Sequence, residues 1–173
     1  NRNYQTDPVK IGVDADWIAV DASPGNSFAL KSNGTLWGWG WGGGGLLGSG
    51  ILGYDQCVPI QVGSDADWTS VAASSSSSSG GYVRALKSNG TLWAWGPYSW
   101  EFNYIYNAAP SQLVSDATWT AVSAGHSSSL AIKSDGTLWE WGWSVAGNGA
   151  TDSVLTFRSM PTLIDRTIVS NAI

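Results

Sequence analysis

The sequence is short of charge, cysteine and long apolar runs. Only 12% of its 173 residues are charged, and the 8 lysines and arginines are scattered along the chain. A surface that holds a nucleic-acid backbone needs clustered positive charge, so we expect no nucleic-acid partner. The single cysteine, Cys57, excludes a disulfide framework within the chain. No apolar run reaches about 18 residues, so no membrane-spanning helix is predicted.

Side chains that carry enzyme chemistry are scarce as well. The only histidine, His126, is predicted to form a hydrogen bond inside a blade rather than to act as a base or metal ligand. Neither a Gly-x-Ser-x-Gly elbow nor a Gly-Lys-Ser/Thr phosphate loop occurs. The pairs Asp14/Asp16 and Asp65/Asp67 have the oxygen ligands that Ca²⁺ prefers, but the third copy is Asp116/Thr118, and local turn hydrogen bonds explain the pairs better. We therefore predict no enzyme activity, cofactor or bound metal.

Glycine and tryptophan, by contrast, are abundant, with 22 Gly and 12 Trp against only 3 Phe. Gly, Ser, Asn and Thr disfavour helix interiors, so the composition predicts short strands joined by tight turns. The low lysine content and the Ser/Thr/Gly/Asn-rich composition favour an extracellular or cell-surface location.

Two motifs recur with an overall period of 51 residues. The first reads DADWIAV, DADWTSV and DATWTAV, and the second reads LKSNGTLWGWG, LKSNGTLWAWG and IKSDGTLWEWG. Four prolines keep the same spacing: Pro8, Pro59, Pro110 and Pro161. Such periods indicate stacked supersecondary units. The predicted divisions are a spare N-terminal strand at 1–13, repeats at 14–63, 64–114 and 115–164, and a strand-like tail at 165–173.

Each repeat is predicted to form three or four antiparallel strands. Asn-Gly and Asp-Gly favour a type I′ hairpin turn between the second and third segments of a repeat. The predicted turn residues are Asn33, Gly34, Asn89, Gly90, Asp135 and Gly136. Asn33 and Asn89 also begin Asn-Gly-Thr sequons, which makes them candidate glycosylation sites.

Tryptophans are the predicted repeat core, because one sheet cannot bury both of its faces alone. These residues are Trp17, Trp37, Trp39, Trp68, Trp93, Trp95, Trp119, Trp139 and Trp141. Strand alternation places Trp37, Trp39 and Trp41 on one face, where a carbohydrate platform is an alternative to packing between blades. Five further aromatic residues between 98 and 106 form a second candidate contact patch.

The motifs together resemble a known family. The combination W-x-x-V, then S-L-A-[LI]-K-S-[ND]-G-T-L-W-x-W-G, then P-x-Q-V, resembles the regulator of chromosome condensation repeat in its bacterial form. The resemblance covers roughly residues 8–164 and implies an all-β propeller of about seven four-stranded blades. The family segment G-Q-L-G-x-G is nearly matched at 45–50 and missing from the second repeat. Nucleotide exchange and chromatin binding are the family's best-known activities, and we do not expect them of this chain.

Three blades do not close a propeller, which needs about four or more. We therefore expect an open arc, or part of a ring or filament, that associates with itself through its open blades as a structural protein. The chain ends are the predicted assembly residues: Pro8, Val9, Ile11, Thr167, Ile168 and Val169. The alternatives are a protein-binding propeller scaffold within a longer chain and, more weakly, a carbohydrate-binding module.

Overall fold

The computed structural model describes residues 6–76, 80–97, 107–126, 128–144 and 156–164. These residues form three antiparallel sheets of four strands, each in chain order. The first sheet contains β1 (Trp17–Ser23), β2 (Asn26–Lys31), β3 (Leu36–Gly40) and β4 (Gln56–Gln61). The second contains β5 (Trp68–Ser76), β6 (Gly80–Lys87), β7 (Leu92–Gly96) and β8 (Asn107–Gln112). The third contains β9 (Trp119–Ala124), β10 (Ser128–Lys133), β11 (Leu138–Ser144) and β12 (Thr156–Leu163).

Neighbouring sheets pack face to face, and their first strands approach one another, β1 against β5 and β5 against β9. This is the radial arrangement of propeller blades. The predicted all-β fold with three antiparallel blades is therefore confirmed. Helix is nearly absent from the described residues, where only a 3-10 turn at Gly43–Gly45 occurs. None of the described segments forms a helix long and apolar enough to cross a bilayer.

The first strand of every sheet contains a β-bulge directly after its tryptophan. In the second sheet, Trp68 pairs with Lys87 and Ser70 pairs with Leu86, which leaves Thr69 as the extra residue. The bulge shifts the side-chain alternation by one. Trp68 and Val71, three residues apart, therefore both contribute to the same apolar core. This explains the W-x-x-V spacing, which a regular strand would place on opposite faces.

Two apolar cores lie between the sheets. The first joins sheets one and two through Phe28, Leu30 and Leu36 on one side and Trp68 and Trp95 on the other. The second joins sheets two and three, and its buried members are Leu86, Leu92, Ala94, Leu113, Trp119, Ala131 and Trp141. The molecule is thus held together by contacts between consecutive sheets, as expected for stacked repeats.

Candidate protein-interaction site

A lysine lies between two tryptophan rings at one end of each sheet. In the first sheet, the Lys31 Nζ atom is 4.7 Å from the ring centre of Trp17 and 4.9 Å from that of Trp37. The same Nζ lies 2.6 Å from Asp14 and 3.3 Å from Asp16. We call this arrangement the lysine cluster. Aromatic rings and carboxylates are groups that bind a cation, and here the chain's own lysine occupies that position.

The second and third sheets repeat the cluster with one difference. Lys87 contacts Asp65 at 2.6 Å and Asp67 at 3.1 Å, between the rings of Trp68 and Trp93. In the third sheet Lys133 lies between Trp119 and Trp139, with a single carboxylate, Asp116, at 2.5 Å. Thr118 replaces the second aspartate there, and Asp116 also accepts a hydrogen bond from Trp119 Nε1 at 2.7 Å.

Hydrogen bonds and charge set the pKa values in these clusters. The hydrogen bond from Lys31 to Asp14 raises the pKa of that lysine, and Asp16 acts in the same direction. Burial works to lower the pKa of Lys87, but Asp65 and Asp67 outweigh it, so that pKa is also raised.

The pKa of the aspartate in the third cluster is lowered, whereas the pKa values of the two lysines are raised. Burial works to raise the pKa of Asp116, yet the hydrogen bonds from Lys133 and Trp119 hold it below its ordinary value. The carboxylates of all three clusters therefore bind lysine ammonium groups. Among the residues that the structure describes, no group of three or more His, Cys, Asp or Glu is placed to hold a metal ion.

The hairpin turns next to the clusters differ in type from the predicted ones. Gly34 donates its N–H to the Lys31 carbonyl at 2.9 Å, so Ser32 and Asn33 are the central residues, and Gly34 follows with a φ of 80°. This is a three-residue loop ending in a left-handed glycine, not the two-residue type I′ turn. The Asn33 side chain accepts from the backbone and hydroxyl of Thr35, which explains why the turn needs an Asx residue.

The same turns make the junction between consecutive sheets. The Gly34 carbonyl accepts a 3.0 Å hydrogen bond from the backbone N–H of Trp68, and the Gly90 carbonyl accepts an equal one from Trp119. A Cβ atom on Gly34 would lie 2.2 Å from the Ala66 carbonyl oxygen. Each of these glycines therefore admits the backbone of the next sheet at a distance that a side chain would forbid.

A loop of the first sheet closes the same junction at its other end. Leu46, fully buried in the segment after β3, accepts a 2.9 Å hydrogen bond from Trp95 Nε1 of the second sheet. Gly50 of the same segment donates to Ala108 of β8 at 2.8 Å. This stretch, 45–50, is the one that nearly matches the family's glycine-rich segment. It connects two sheets rather than forming a ligand loop.

The third sheet has the same outward face as the first two, but none of the described strands covers it. Leu30 and Leu86 are 1% and 2% exposed beneath the next sheet, whereas the equivalent Ile132 is 40% exposed. Leu130, equivalent to the buried Phe28, is 39% exposed. We call this surface the third-sheet face: Leu130, Ile132, Leu138 and Ile164, together with the turn at Gly136.

The opposite end of the array is uncovered too. Val20 is 78% exposed, although its equivalents Val71 and Val122 pack against the cores. Trp17 is half-buried, whereas Trp68 and Trp119 are both 3% exposed. We call Trp17, Val20, Ala22, Trp37 and Trp39 the first-sheet face. It presents the residue types that sheets two and three insert into the junctions.

The comparisons with known proteins agree with this geometry. The profile of the Regulator of chromosome condensation (RCC1) repeat matches residues 33–79. Residues 33–79 of the chain therefore match one RCC1 repeat. The matched stretch runs from the turn at Asn33 through β3 and β4 into β5, so it contains both partners of the hydrogen bond from Trp68 to Gly34 that joins two blades. Comparison with curated proteins gave no significant match.

Solved propellers share the fold at low sequence identity. Human WBSCR16 is similar with a TM-score of 0.75 and 19% identity, over 92% of this chain and 40% of that protein. Yeast RCC1 (Prp20), solved with Kap60, is similar with a TM-score of 0.70 and 20% identity, over 88% of this chain and 37% of that protein. A second structure of Prp20p from Saccharomyces cerevisiae is similar with a TM-score of 0.68 and 19% identity, over 88% of this chain and 39% of that protein. The chain thus spans about two fifths of each, and the likeness concerns the fold.

The remaining predicted residues lie away from these faces or outside the described chain. Residues 6–13 belong to none of the described sheets, and Val9 and Ile11 are exposed, so their role in assembly stays a prediction. Cys57 and His126 are exposed. Trp41 lies beyond the end of β3, so it does not continue the row of Trp37 and Trp39. The aromatic stretch 98–106 and the assembly residues Thr167, Ile168 and Val169 lie outside the described residues.

Sequence reasoning did not single out the junction glycines as contact points or the exposed residues of the two end faces. The signal was present in the repeat itself: Phe28, Arg84 and Leu130 occupy one position, as do Leu30, Leu86 and Ile132. Comparing these positions shows which face each sheet offers to the next, but it requires the register of the strands.

Proposed function

We propose that this protein is a protein-binding scaffold of RCC1-type blades, and that its first partner is another copy of itself. The observation that carries the proposal is the third-sheet face. Ile132 is 40% exposed at a position where the preceding sheets expose 1% and 2% of their leucines, because each is covered by its successor. An apolar sheet face of this kind favours association with another protein surface.

The two ends of the array support self-association in particular. Within the part of the chain that the structure describes, the third-sheet face has no covering sheet and the first-sheet face has no sheet to cover, so one molecule carries both halves of a junction. Contacts between two different faces repeat from copy to copy, and they give a ring if the rotation closes and a filament if it does not. A structural role as a ring or filament follows from this proposal, and we propose the cell surface as its location.

The solved propellers support protein binding rather than catalysis as the function. Yeast RCC1 is described bound to Kap60, and Prp20p is described by its binding to Gsp1p and histones. Shared fold supports only the general role of a binding scaffold, because different functions occur on one fold.

Sedimentation velocity over a range of protein concentrations tests the proposal. We expect particles of two or more chains whose mass rises with concentration, and electron microscopy of the same sample should show rings or filaments. A single monodisperse species of one chain at every concentration would exclude self-association. It would favour the second candidate, a scaffold in which a blade of a longer polypeptide covers the third-sheet face.

The second candidate has its own supporting observation, since the chain spans only about two fifths of the similar solved propellers. An antibody against the chain distinguishes the two candidates on an immunoblot of source cells and their medium. A band of this chain's mass supports self-association, and a much larger band supports the longer scaffold. Its presence in the medium or in the cells tests the extracellular location.

A further inference from the structure

Two junctions within the molecule show what the outward face of a sheet binds. In each, a tryptophan at the start of the next sheet donates its backbone N–H to the turn glycine, Trp68 to Gly34 and Trp119 to Gly90. The alanine two residues before that tryptophan lies against the same glycine, because a Cβ on Gly34 or Gly90 would approach the Ala66 or Ala117 carbonyl oxygen within 2.2 or 2.5 Å. The side chain of the tryptophan then enters the apolar core between the sheets.

The third sheet has the same turn glycine, Gly136, and no other sheet among the described residues lies on it. Gly136 has a φ of 81°, as Gly34 and Gly90 have 80° and 77°, so the turn presents its carbonyl in the same backbone conformation. A Cβ on Gly136 would meet no atom within 4 Å. The apolar surface beside it, formed by Leu130, Ile132 and Leu138, borders one open depression. The outward faces differ in residue type at one position, where the third sheet has Glu140 and the first two sheets have Gly38 and Ala94.

The first sheet carries the matching partner. Trp17 follows Ala15 and Asp16, just as Trp68 follows Ala66 and Asp67. Its β1 strand has the same bulge after the tryptophan, so Trp17 and Val20 lie on one face, as Trp68 and Val71 do. A first sheet placed on Gly136 would therefore present the same tryptophan, valine and backbone donor that the second sheet presents to Gly34.

We propose that the third-sheet face is the binding site for the first-sheet face of a second copy, with the backbone N–H of Trp17 bound to the carbonyl of Gly136. The contact is head-to-tail and has the geometry of the two junctions inside each chain. This inference rests on the proposed self-association and specifies its surfaces and direction. It also assigns the assembly to sheet faces rather than to the chain ends.

Gly136→Ala tests the acceptor, with Gly63→Ala as its matched control. Both glycines have positive φ and open space around a Cβ, so the two variants carry similar backbone strain in the isolated chain. Only Gly136 lies where a second copy would approach. We expect Gly136→Ala to weaken association at least about tenfold in sedimentation, and Gly63→Ala to leave it near wild type. Equal association constants for the two variants would overturn the assignment of Gly136.

Complementation tests the direction. Ile132→Lys blocks the third-sheet face, and Val20→Lys blocks the first-sheet face; both side chains are exposed, so each variant should fold. We expect each variant alone to be a monomer, and an equimolar mixture to form a dimer of one chain of each kind, because one intact pair of faces remains.

The other outcomes separate this inference from the broader proposal. If the wild type associates but either variant alone still does so, the contact does not join these two faces, and the head-to-tail inference fails while self-association stands. If both variants are monomers and their mixture gives no dimer, one intact pair of these faces does not join two chains, and the inference fails in the same way. A monomeric wild type overturns both.

Discussion

One lysine per sheet is held by aromatic rings and carboxylates, and the number of carboxylates differs between sheets. Lys31 and Lys87 each face two aspartates, whereas Lys133 faces only Asp116. In the third cluster, Asp116 makes a second contact in place of the missing aspartate, because it also accepts a hydrogen bond from the indole of Trp119. Asp135 of the adjacent turn accepts from Thr137, and this hydrogen bond lowers the pKa of its carboxyl.

These shifts predict how stability depends on pH. The pKa values of Lys31 and Lys87 are raised above 10.5, so their contribution is complete below that pH and is lost as the pH rises through the folded-state values. The pKa values of Asp116 and Asp135 are lowered below 3.8, so their contribution is present above that pH and is lost as the pH falls through the folded-state values. Urea unfolding should therefore show the highest free energy of unfolding between these limits.

Asp116→Asn checks the acid side of this dependence. We expect the variant to lose up to about 1 kcal/mol at neutral pH, because the pair is partly exposed, and to lose less stability than wild type on acidification. Identical acid profiles for variant and wild type would mean that Asp116 contributes nothing to the dependence.

The junction glycines are the other feature at this scale. Gly34→Ala adds a Cβ at 2.2 Å from the Ala66 carbonyl oxygen in a left-handed backbone conformation. We expect a loss of about 3 kcal/mol or more in urea unfolding, since backbone strain and overlap add. Gly63→Ala carries the strain without the overlap, and its expected loss is about 1 kcal/mol. Similar losses for the two variants would show that the turn yields to the added methyl group.

The bulged first strand governs packing at the scale of the element. The extra residue Thr69 lets Trp68 and Val71 face the same core, and its hydroxyl donates to the Leu86 carbonyl at 3.2 Å. Without the bulge, the strand's alternation would turn one of the two side chains toward the opposite face.

Deletion of Thr69 tests this interpretation against a simple substitution. Removing the residue should cost several kcal/mol or prevent cooperative unfolding, because either Trp68 or the rest of β5 must leave its core. Thr69→Ala keeps the bulge and loses only a partly exposed hydrogen bond, so we expect about 0.5–1 kcal/mol. Near-equal urea midpoints for the two variants would contradict a structural role for the bulge.

At the scale of the whole molecule, stability depends on contacts between consecutive sheets. The segment after β3 provides one such contact, since the Leu46 carbonyl accepts from Trp95 Nε1 and the Leu46 side chain is fully buried in the first core. The second repeat lacks the corresponding glycine-rich segment. The two repeats therefore differ in sequence at this end, although the two junctions share the glycine–tryptophan contact at the other.

A double-mutant cycle measures this coupling. Leu46→Ala should cost about 3 kcal/mol, and combining it with Trp95→Phe should reveal a coupling of about 0.5 kcal/mol or more. The matched control pairs Leu46→Ala with Trp141→Phe, because Trp141 is the equivalent tryptophan in the other core and should give additive losses. Additivity in both cycles would mean that the loop and the second sheet are energetically independent.

The sequence by itself determined the class of the fold and its repeating unit. Period, tryptophan spacing and Asx-Gly turns predicted antiparallel blades, and the three sheets confirm them. These features are local, because hairpins join residues that are close along the chain. The same local reasoning gave the wrong turn type, since the hydrogen bond from Gly34 to Lys31 depends on how the strand ends pair and not on the Asn-Gly dipeptide alone.

Only the tertiary structure decided which faces the sheets offer one another. Phe28, Arg84 and Leu130 occupy one repeat position, yet two are buried and the third is exposed, because burial depends on whether another sheet follows. The lysine clusters and the contact of Gly34 with Trp68 likewise join residues that are distant in the chain. Exposure and contact between sheets are properties of the assembled array, so the amino-acid sequence of the repeat is nearly the same in a covered and an uncovered blade.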